Sequence, residues 1–311
     1  MKNPFAFLNL GILLSGMVLA LCACAEETTF RLVEIAPGVY LHQGVTVGFE
    51  HPHHDDIANT GFIIGSKCVA VIDSGGSLKT GAALRAAIRK VTDLPVCHVI
   101  NTHVHFDHVL GNLSFAEDKP GFIGHAGLTD AIAASRDFFL KEYSEELGGS
   151  PTASSVIGPS QTVTDTLSLD LGERKLLLQA WPVAHTHADL TVLDEQTRTL
   201  WTGDLVFREH IPVLDGSLKG WLAVLKSLKG IEAKIIVPGH GPPGNSWTEV
   251  LTAEENYFTN LLEETRRAIA DGVFMEDAIN TVGSSAKDRW QLYDQHHRGN
   301  VSRAFVELEW E

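Results

Sequence analysis

The sequence predicts an α/β sandwich, with β-sheets inside and helices outside. Residues 30–43 and 61–73 each show a pair of short strand patterns joined by a turn that contains glycine. Residues 78–91 then have the apolar spacing of a helix, and residues 96–101 are again strand-like. Hairpins followed by a strand–helix–strand unit favour sheet layers that are packed together and covered by helices.

The second half of the chain continues this pattern. Residues 167–171 and 175–180 predict a hairpin, and further strands are predicted at 190–193, 199–204 and 235–240. Helical patterns cover 128–147, 218–228, 247–270, 275–281, 286–293 and 301–308, and Ser217 is the expected N-cap of the second of them. No internal repeat is evident, so residues 28–311 are predicted to form one domain.

Composition limits the class of protein and of partner. The chain has 311 residues, of which 44% are hydrophobic and 20% are charged, as is usual for a globular protein. Its formal net charge of -15 argues against nucleic acid as a partner, because nucleic-acid binding needs a basic surface. The 15 histidines are many for this length, which points to a site that uses them.

Residues 1–25 have the layout of a secretory signal peptide. Lys2 supplies a basic start, residues 5–21 are apolar, and residues 23–25 fit a cleavage site of the A-x-A type. The alternative is a bacterial lipobox over residues 21–24, in which Cys24 would carry a lipid and tether the protein to a membrane. Both alternatives predict a bacterial protein that is exported or periplasmic.

Two cysteines lie within the predicted domain. Cys68 and Cys97 each begin a strand-like run. If the two strands are neighbours in register, the thiols can form a disulfide, which an exported compartment permits. Two buried, unpaired cysteines are the alternative.

A dense cluster of metal-ligand residues follows the strand at residues 96–101. His103, His105, Asp107 and His108 lie within six residues. Residues two apart on an extended segment share a face, so His103 and His105 are expected to point at one centre, and Asp107 and His108 at a second. Neutral imidazoles and carboxylates are ligands of zinc-type metals.

Three more predicted strand ends carry residues of the same kind. They are His185, Asp204 and His240. A single ligand-type residue at one strand end has little meaning. Four strand ends in succession, each supplying such residues, predict one shared metal site.

Other residues near these strand ends are candidates for a substrate pocket. His210 and Asp215 follow the strand of Asp204 and are predicted to line the pocket. His187 lies two residues after His185, and it either lines the pocket or faces away from it. Phe138 and Phe139 are expected to pack in a helix, and His296 to be structural or at the surface.

The ordered ligand set resembles the metallo-β-lactamase superfamily over nearly the whole chain after the signal segment. This resemblance implies an αββα sandwich, two mixed β-sheets flanked by helices, with a dinuclear and usually zinc centre at one edge. The residues that match the first metal site are His103, His105 and His185; those that match the second are Asp107, His108 and His240. Asp204 matches the carboxylate that bridges both metals, and Asp73 matches the strand-end acid before the motif.

A closer resemblance is to the quinoprotein relay system zinc metallohydrolases. The segments that carry it are residues 56–65, 214–222 and 305–311. It implies an exported protein with a quinoprotein partner, linked to oxidation systems that use pyrroloquinoline quinone. Asp204 stands where true metallo-β-lactamases generally have Cys or Ser. It looks instead like the bridging Asp of glyoxalase II, but a glutathione-binding C-terminal region of the glyoxalase type is not recognisable.

These features together predict a metal-dependent hydrolase of a small-molecule substrate. The expected cofactor is two Zn²⁺, although other divalent metals such as Fe or Mn suit the same ligands. A hydroxide between the metals would attack an ester, thioester or lactone-type carbonyl, and Asp107 would be the catalytic residue that orients it. The alternatives are a β-lactam hydrolase and a non-catalytic, metal-dependent accessory protein that binds a quinone cofactor or quinoprotein.

Overall fold

The computed structural model describes Met1 and residues 30–311, so the predicted signal peptide and Cys24 lie outside the described residues. One sheet has seven strands that follow each other in chain order. They are β1 (Val33–Ala36), β2 (Val39–His42), β3 (Thr60–Ile64), β4 (Val69–Ile72), β5 (Val96–Ile100), β6 (Gly121–His125) and β7 (Gln161–Val163). The first four strands pair antiparallel, and β4 to β7 pair parallel.

The second sheet has five strands in the order β12–β11–β10–β9–β8. They are β8 (Thr166–Asp170), β9 (Lys175–Ala180), β10 (Leu190–Asp194), β11 (Thr199–Phe207) and β12 (Ile235–His240). Strands β11 and β12 are parallel, and the other neighbours are antiparallel. Both sheets are therefore mixed, as predicted.

Helices cover the outer faces of the two sheets. They are α1 (Leu78–Val91), α2 (Phe106–Val109), α3 (Leu128–Glu142), α4 (Leu218–Leu228), α5 (Trp247–Ala270), α6 (Met275–Thr281) and α7 (Tyr293–Leu308). Short 3₁₀ helices occur at His54–Asp56, Leu110–Asp118, Ala153–Ser155 and Ser284–Arg289. Ser217 caps α4 by accepting a hydrogen bond from the backbone N–H of Gly220, as the sequence predicted. Among the described residues, no helix has both the length and the apolar character needed to cross a bilayer.

Three apolar layers hold the sandwich together. Side chains such as Ile72, Leu178 and Trp201 fill the space between the sheets. Leu84 of α1 packs on the outer face of the seven-stranded sheet, and Trp221 of α4 belongs to the cluster outside the other sheet. Central strands buried on both faces read as continuous apolar runs, which is why the sequence showed them clearly. The predicted αββα sandwich is confirmed.

Several predicted boundaries differ from the structure, and the helix expected over 301–308 begins eight residues earlier, at Tyr293. The helix expected to reach residue 147 ends at Glu142 and continues as turns. The helix expected over 286–293 is wrong, because a 3₁₀ helix ends at Arg289 and α7 begins at Tyr293, after Leu292 in the left-handed region. Strand β11 extends three residues beyond Asp204, because the apolar residues that follow are also buried.

Cys68 and Cys97 form a disulfide, so that alternative of the sequence prediction is confirmed. The bridge lies at the start of two parallel neighbours, where Val69 of β4 pairs with Val96 of β5. The two Cα atoms are 5.8 Å apart, within the usual range for a disulfide.

Glu254 of α5 makes stability depend on pH. Its side chain is fully buried, and one oxygen accepts a hydrogen bond from the backbone N–H of Phe207, while the other has no partner among the described residues. Burial raises the pKa of this carboxyl well above its usual value. The folded state therefore holds a proton that the unfolded state loses above about pH 4.3, so stability falls as pH rises towards the folded-state pKa.

Glu254→Gln is expected to abolish the decrease in stability that Glu254 causes as pH rises. Between pH 5 and pH 7, the free energy of unfolding of the wild type should decrease as pH rises. Glu254 should account for up to about 1.4 kcal/mol of this decrease per pH unit. The variant should lack this contribution in urea unfolding at several pH values. Glu255→Gln, at the neighbouring and partly exposed position beside Lys229, is the control. Equal pH slopes for Glu254→Gln and the wild type would contradict the expectation.

Candidate metal centre

The predicted ligand residues meet at one edge of the sandwich, between the two sheets. After β5 the chain leaves the sheet, and His103 and His105 lie in the bend before α2. Asp107 and His108 lie in the first turn of α2, and His185 lies in the turn between β9 and β10. The segment after Thr102 is thus a bend and not a continued strand, but His103 and His105 still share one centre.

The first group of ligand atoms contains His103, His105, His185 and Asp204. Nδ1 of His105 lies 3.2 Å from Nε2 of His103 and 3.0 Å from Nε2 of His185. Oδ2 of Asp204 lies 3.6 Å from His103 Nε2 and 3.4 Å from His185 Nε2. Three imidazoles and one carboxylate thus face a single point.

The second group contains Asp107, His108 and His240. Oδ2 of Asp107 lies 3.4 Å from Nε2 of His108 and 3.3 Å from Nε2 of His240. The two carboxylate oxygens of Asp204 approach the same imidazoles, at 3.2 Å from His108 Nε2 and 3.3 Å from His240 Nε2. Asp204 therefore lies between the two groups and contacts both.

The donor set and its spacing fit divalent metal ions. Tetrahedral zinc with Zn–N bonds of about 2.0–2.1 Å places its ligand atoms about 3.3 Å apart, close to the distances given above. Nε2 of His108 and Oδ1 of Asp204 are also buried with no hydrogen-bond partner among the described residues. Buried polar atoms of native proteins normally have partners, so these two indicate an ion that they would bind.

The outer nitrogen of each imidazole has a partner that holds the ring in place. Nδ1 of His185 donates to the carbonyl of Val213 at 2.8 Å, and Nδ1 of His240 donates to the carbonyl of Ile57 at 3.0 Å. Nε2 of His105 faces Oδ2 of Asp215 at 3.3 Å. A donor hydrogen on the outer nitrogen leaves the lone pair of the inner nitrogen for a metal ion.

Asp73 orients two of the ligands at once. Its carboxylate accepts hydrogen bonds from the backbone N–H and the hydroxyl of Thr102, each at 2.8 Å, and lies 2.8 Å from Nδ1 of His108. The Thr102 hydroxyl, having given its hydrogen to Asp73, accepts from Nδ1 of His103 at 3.0 Å. The strand-end acid of the sequence prediction is thus connected to both groups of ligands.

Asp73→Asn is expected to weaken metal binding about 10- to 100-fold, the usual cost of losing an outer partner of a metal ligand. Asp73 has a φ of 53°, and Asn tolerates this left-handed conformation, so the substitution mainly removes charge and acceptor capacity. Zinc titration against a competing chelator measures the effect. Asp170→Asn, at a turn where the carboxylate caps Gly172, is the control. Unchanged zinc affinity in Asp73→Asn would rule out this orienting role.

Two glycines allow the close approaches that place Asp204 and His240. Gly203 has a φ of 50°, and a Cβ there would lie 2.5 Å from Cβ of Thr102. A Cβ at Gly239 would lie 1.8 Å from Oδ1 of Asp204. Side chains at either position would push β11 and β12 away from the centre.

The two carboxylates at the centre have the charge that metal ligands need, whereas His240 holds a proton. Burial raises the pKa of Asp204, but the surrounding imidazoles outweigh it and hold the pKa well below its usual value; the same holds for Asp107. Burial lowers the pKa of His240, but Asp204 and Asp107 outweigh this effect and raise it to about 9. A metal ion that binds Nε2 of His240 must therefore displace a proton.

A cavity of about 310 Å³ opens directly beside Asp107 and Asp204. His210 lines this cavity, and its ring lies 5.1 Å from that of His240. Burial lowers the pKa of His210 to about 3, which keeps it neutral. Asp215 does not line this cavity. It lies in an adjacent hollow, where it holds His105 and accepts from Nη2 of Arg303 at 2.6 Å.

His187 lies away from the metal centre. Its side chain is exposed and lines a separate surface hollow with His125 and Trp181, so a role in the substrate pocket does not fit its position. The turn after His185 places the two imidazoles on opposite sides, because residues two apart share a face only in an extended segment.

Sequence reasoning missed several cavity residues. They are Val47, Phe49, Ile57, Phe106, Tyr143, Val213 and Gln295, together with Phe138, Phe139 and His296, which had been assigned to packing or to the surface. These residues come from distant loops and helices and carry no local motif. The one local signal was the aromatic residue Phe106, which lies within the metal motif and lines the cavity.

A model of the metallo-beta-lactamase superfamily matches residues 54–240, which is more than half of the chain. The chain belongs to the metallo-β-lactamase superfamily. The match begins in the loop before β3 and ends at His240, so it spans all seven predicted metal ligands. The predicted superfamily is thereby confirmed.

Curated relatives in the superfamily are named as hydrolases. The chain is 24% identical over 241 residues to the probable metallo-hydrolase YqjP of Bacillus subtilis (strain 168), covering 67% of this chain and 75% of that protein. It is 21% identical over 252 residues to a linear primary-alkylsulfatase of Pseudomonas sp. (strain ATCC 19151), covering 68% of this chain. The chain spans about half of that alkylsulfatase, 47% of its length. These names agree with the predicted class of metal-dependent hydrolase.

Solved structures share the fold at low sequence identity. A metallo-beta-lactamase from Pontibacter korlensis superposes with a TM-score of 0.60 at 19% identity, covering 74% of this chain and 99% of that one. A double mutant of the sec-alkyl sulfatase PisA1 superposes with a TM-score of 0.66 at 16% identity, covering 88% of this chain and 49% of that one. At this identity the similarity establishes the superfamily fold and not the substrate.

Proposed function

We propose that the chain is a dinuclear metallohydrolase that cleaves an ester, thioester or lactone-type carbonyl of a small molecule. The observation that carries this proposal is the position of Asp204, between two groups of ligand atoms and at the wall of an open cavity. A structural zinc site is closed by four protein ligands and usually contains cysteine. Here the ligands are His and Asp only, and the cavity gives a substrate access to them.

The residues of the two groups would hold one Zn²⁺ each and share Asp204. When bound, such ions supply Lewis acidity for a carbonyl oxygen and lower the pKa of water from about 15.7 to roughly 7. Asp107, ionised and at the cavity wall, accepts a hydrogen bond from the attacking water and so orients it towards the substrate.

The test combines metal content with a substrate panel. Purified protein should contain two equivalents of zinc by elemental analysis, and should hydrolyse at least one of a p-nitrophenyl ester, a thioester and a lactone. A β-lactam and an alkyl sulfate, the compound classes that appear in the names of the similar proteins, complete the panel. Two bound metals without turnover of any substrate would favour the non-catalytic accessory function over the hydrolase.

A matched pair of double variants tests the assignment of the ligands. His103→Ala with His105→Ala should lose zinc and activity together. His51→Ala with His53→Ala removes two imidazoles with the same spacing that belong to neither ligand group, one exposed (His51) and one partly buried (His53). Zinc content and activity should stay unchanged in this double variant. Full zinc content in the first double variant would show that the ligands are elsewhere.

We also propose export from the cytoplasm and a quinoprotein partner, which both rest on the sequence patterns. The Cys68–Cys97 disulfide supports export, because disulfides persist in oxidising compartments. Fractionation of cells that express the full chain, with intact-mass analysis of the product, would distinguish a cleaved signal peptide from a lipid on Cys24. A product that stays in the cytoplasm at full length would contradict export.

A further inference from the structure

One side of the cavity is an aromatic wall, made of Phe49, Phe106, Phe138, Phe139 and Tyr143. The rings of Phe106 and Tyr143 are stacked with centroids 4.4 Å apart, and Phe138 lies 5.9 Å from Tyr143. Phe49 reaches the wall from the loop after β2 and lies 6.0 Å from Phe106. The wall stands beside Asp107, so a molecule that contacts it also reaches the metal centre.

Two rings of the aromatic wall are exposed although they border a cavity. Phe49 is 49% exposed and Phe138 is 56% exposed. Neither ring is needed to complete the apolar core at this edge, which is already closed by buried residues such as Phe139 and Leu128. Exposed aromatic residues grouped at the mouth of a cavity mark a surface that binds an apolar partner.

The aromatic wall itself contains no cationic side chain that could pair with an anionic group. None of the described residues that line the cavity is Lys or Arg. Arg303, in the adjacent hollow, is already paired with Asp215. An anion placed against the aromatic wall would lose its hydration without gaining a partner.

We propose that the aromatic wall binds an uncharged aromatic or alkyl group of the substrate, so that the preferred substrates carry no negative charge on the part that does not react. This inference rests on the proposed hydrolase function and adds the class of substrate. It separates this chain from hydrolases of substrates with a distal carboxylate, such as β-lactams. In a neutral aryl or alkyl ester, the apolar group can contact the aromatic wall while the ester carbonyl reaches the metal centre.

Two fluorescent probes test the inference by binding alone. N-phenyl-1-naphthylamine is neutral, and 8-anilinonaphthalene-1-sulfonate has the same rings with one added sulfonate. The zinc-loaded full chain is expected to bind the neutral probe at least about tenfold more tightly than the sulfonate, because the sulfonate finds no cationic partner at the wall. Equal binding, or tighter binding of the sulfonate, would overturn the inference.

Variants locate the binding to the aromatic wall. Phe138→Ala and Phe49→Ala should each weaken binding of the neutral probe about threefold to tenfold, because each removes one aromatic contact. Phe274→Ala removes a ring that is 75% exposed and lies outside the cavity, so it should leave binding unchanged. Thermal unfolding of each variant checks that the fold is retained. If neither wall variant weakens binding, or if Phe274→Ala weakens it equally, the wall is not the binding surface.

The two proposals can fail separately. Protein that binds the neutral probe at the wall but hydrolyses no substrate would refute the hydrolase function and leave the binding surface in place. Protein that hydrolyses esters but prefers the sulfonate probe would refute the substrate class alone. In the hydrolysis assay, the ratio of kcat/KM for a phenyl-substituted ester to that for its carboxyphenyl analogue should exceed about ten and should fall in Phe138→Ala.

Discussion

Asp204→Ala is expected to lose at least one bound metal and to reduce hydrolysis by about 10³-fold or more. Asp204 is the residue whose carboxylate approaches both groups of ligand atoms. Loss of an outer partner alone costs about 10- to 100-fold in metal affinity, so loss of a shared ligand should cost more. Metal ions contribute several kcal/mol of transition-state stabilisation, and each 1.36 kcal/mol is a factor of ten in rate.

The measurements are zinc content after dialysis and kcat/KM for the best substrate of the panel. Glu254→Gln is a suitable control, because Glu254 is a fully buried carboxyl of α5 that belongs to neither group of ligand atoms. It should retain both metals and full activity. Two tightly bound zinc ions in Asp204→Ala would contradict the bridging position, whatever happened to the rate.

Asp194→Ala is expected to destabilise the fold by about 3–5 kcal/mol, because it leaves a buried guanidinium without its partner. Asp194 is fully buried, and Arg174 donates to its two oxygens at 3.0 and 2.7 Å. Nη1 of Arg174 also donates to the carbonyl of Ile64 at 2.9 Å, which connects the β8–β9 turn to β3 of the other sheet. The ion pair therefore contributes to the contact between the two sheets.

The pH dependence of this ion pair has the opposite sign to that of Glu254. Burial raises the pKa of Asp194, but hydrogen bonds from Arg174 and Thr197 outweigh it and hold the pKa below its usual value. Its stabilisation is therefore present above the unfolded-state pKa of about 3.9, and is lost as pH falls through the folded-state pKa. Urea unfolding at a fixed chelator concentration measures both the loss and its pH dependence, because bound zinc would otherwise add to the apparent stability.

Lys287→Ala is the control for Asp194→Ala. Lys287 pairs with Asp294 at 2.7 Å, but both side chains are exposed, so the loss should stay within about 1 kcal/mol. If Asp194→Ala and Lys287→Ala lower the free energy of unfolding by similar amounts, then leaving the buried Arg174 without its partner has no additional effect on stability.

The sequence predicted most of the elements because their local signals agree with their surroundings. Helix α1 begins after Ser77 and ends at Val91 as expected, since an N-cap and an amphipathic repeat define both ends. The central strands were found because burial on both faces makes them continuous apolar runs. Prediction failed around Leu292, where a left-handed residue separates a 3₁₀ helix from α7 and the local pattern carries no signal for it.

The candidate metal ligands were visible in the sequence for a similar reason. A metal ion needs particular side-chain atoms, so the ligand types at His103, Asp204 and His240 are visible without knowledge of the packing. Their outer partners were less visible, because the Ile57 and Val213 carbonyls that hold His240 and His185 are backbone atoms, which any residue could supply. His187 shows the limit of spacing alone, since a turn sends it away from its neighbour.

The sequence by itself determined the superfamily, the sandwich and the residues that form the two groups of candidate metal ligands. Only the tertiary structure decided that Asp73 contacts His108 directly and His103 through Thr102, and that aromatic rings from separate segments form one wall. The physical reason is the distance along the chain over which each signal acts. Ligand types and strand periodicity can be recognised from residues that are close together in the sequence. A cavity instead depends on the packing of distant segments such as those of Phe49 and Phe138, and no local pattern encodes that contact.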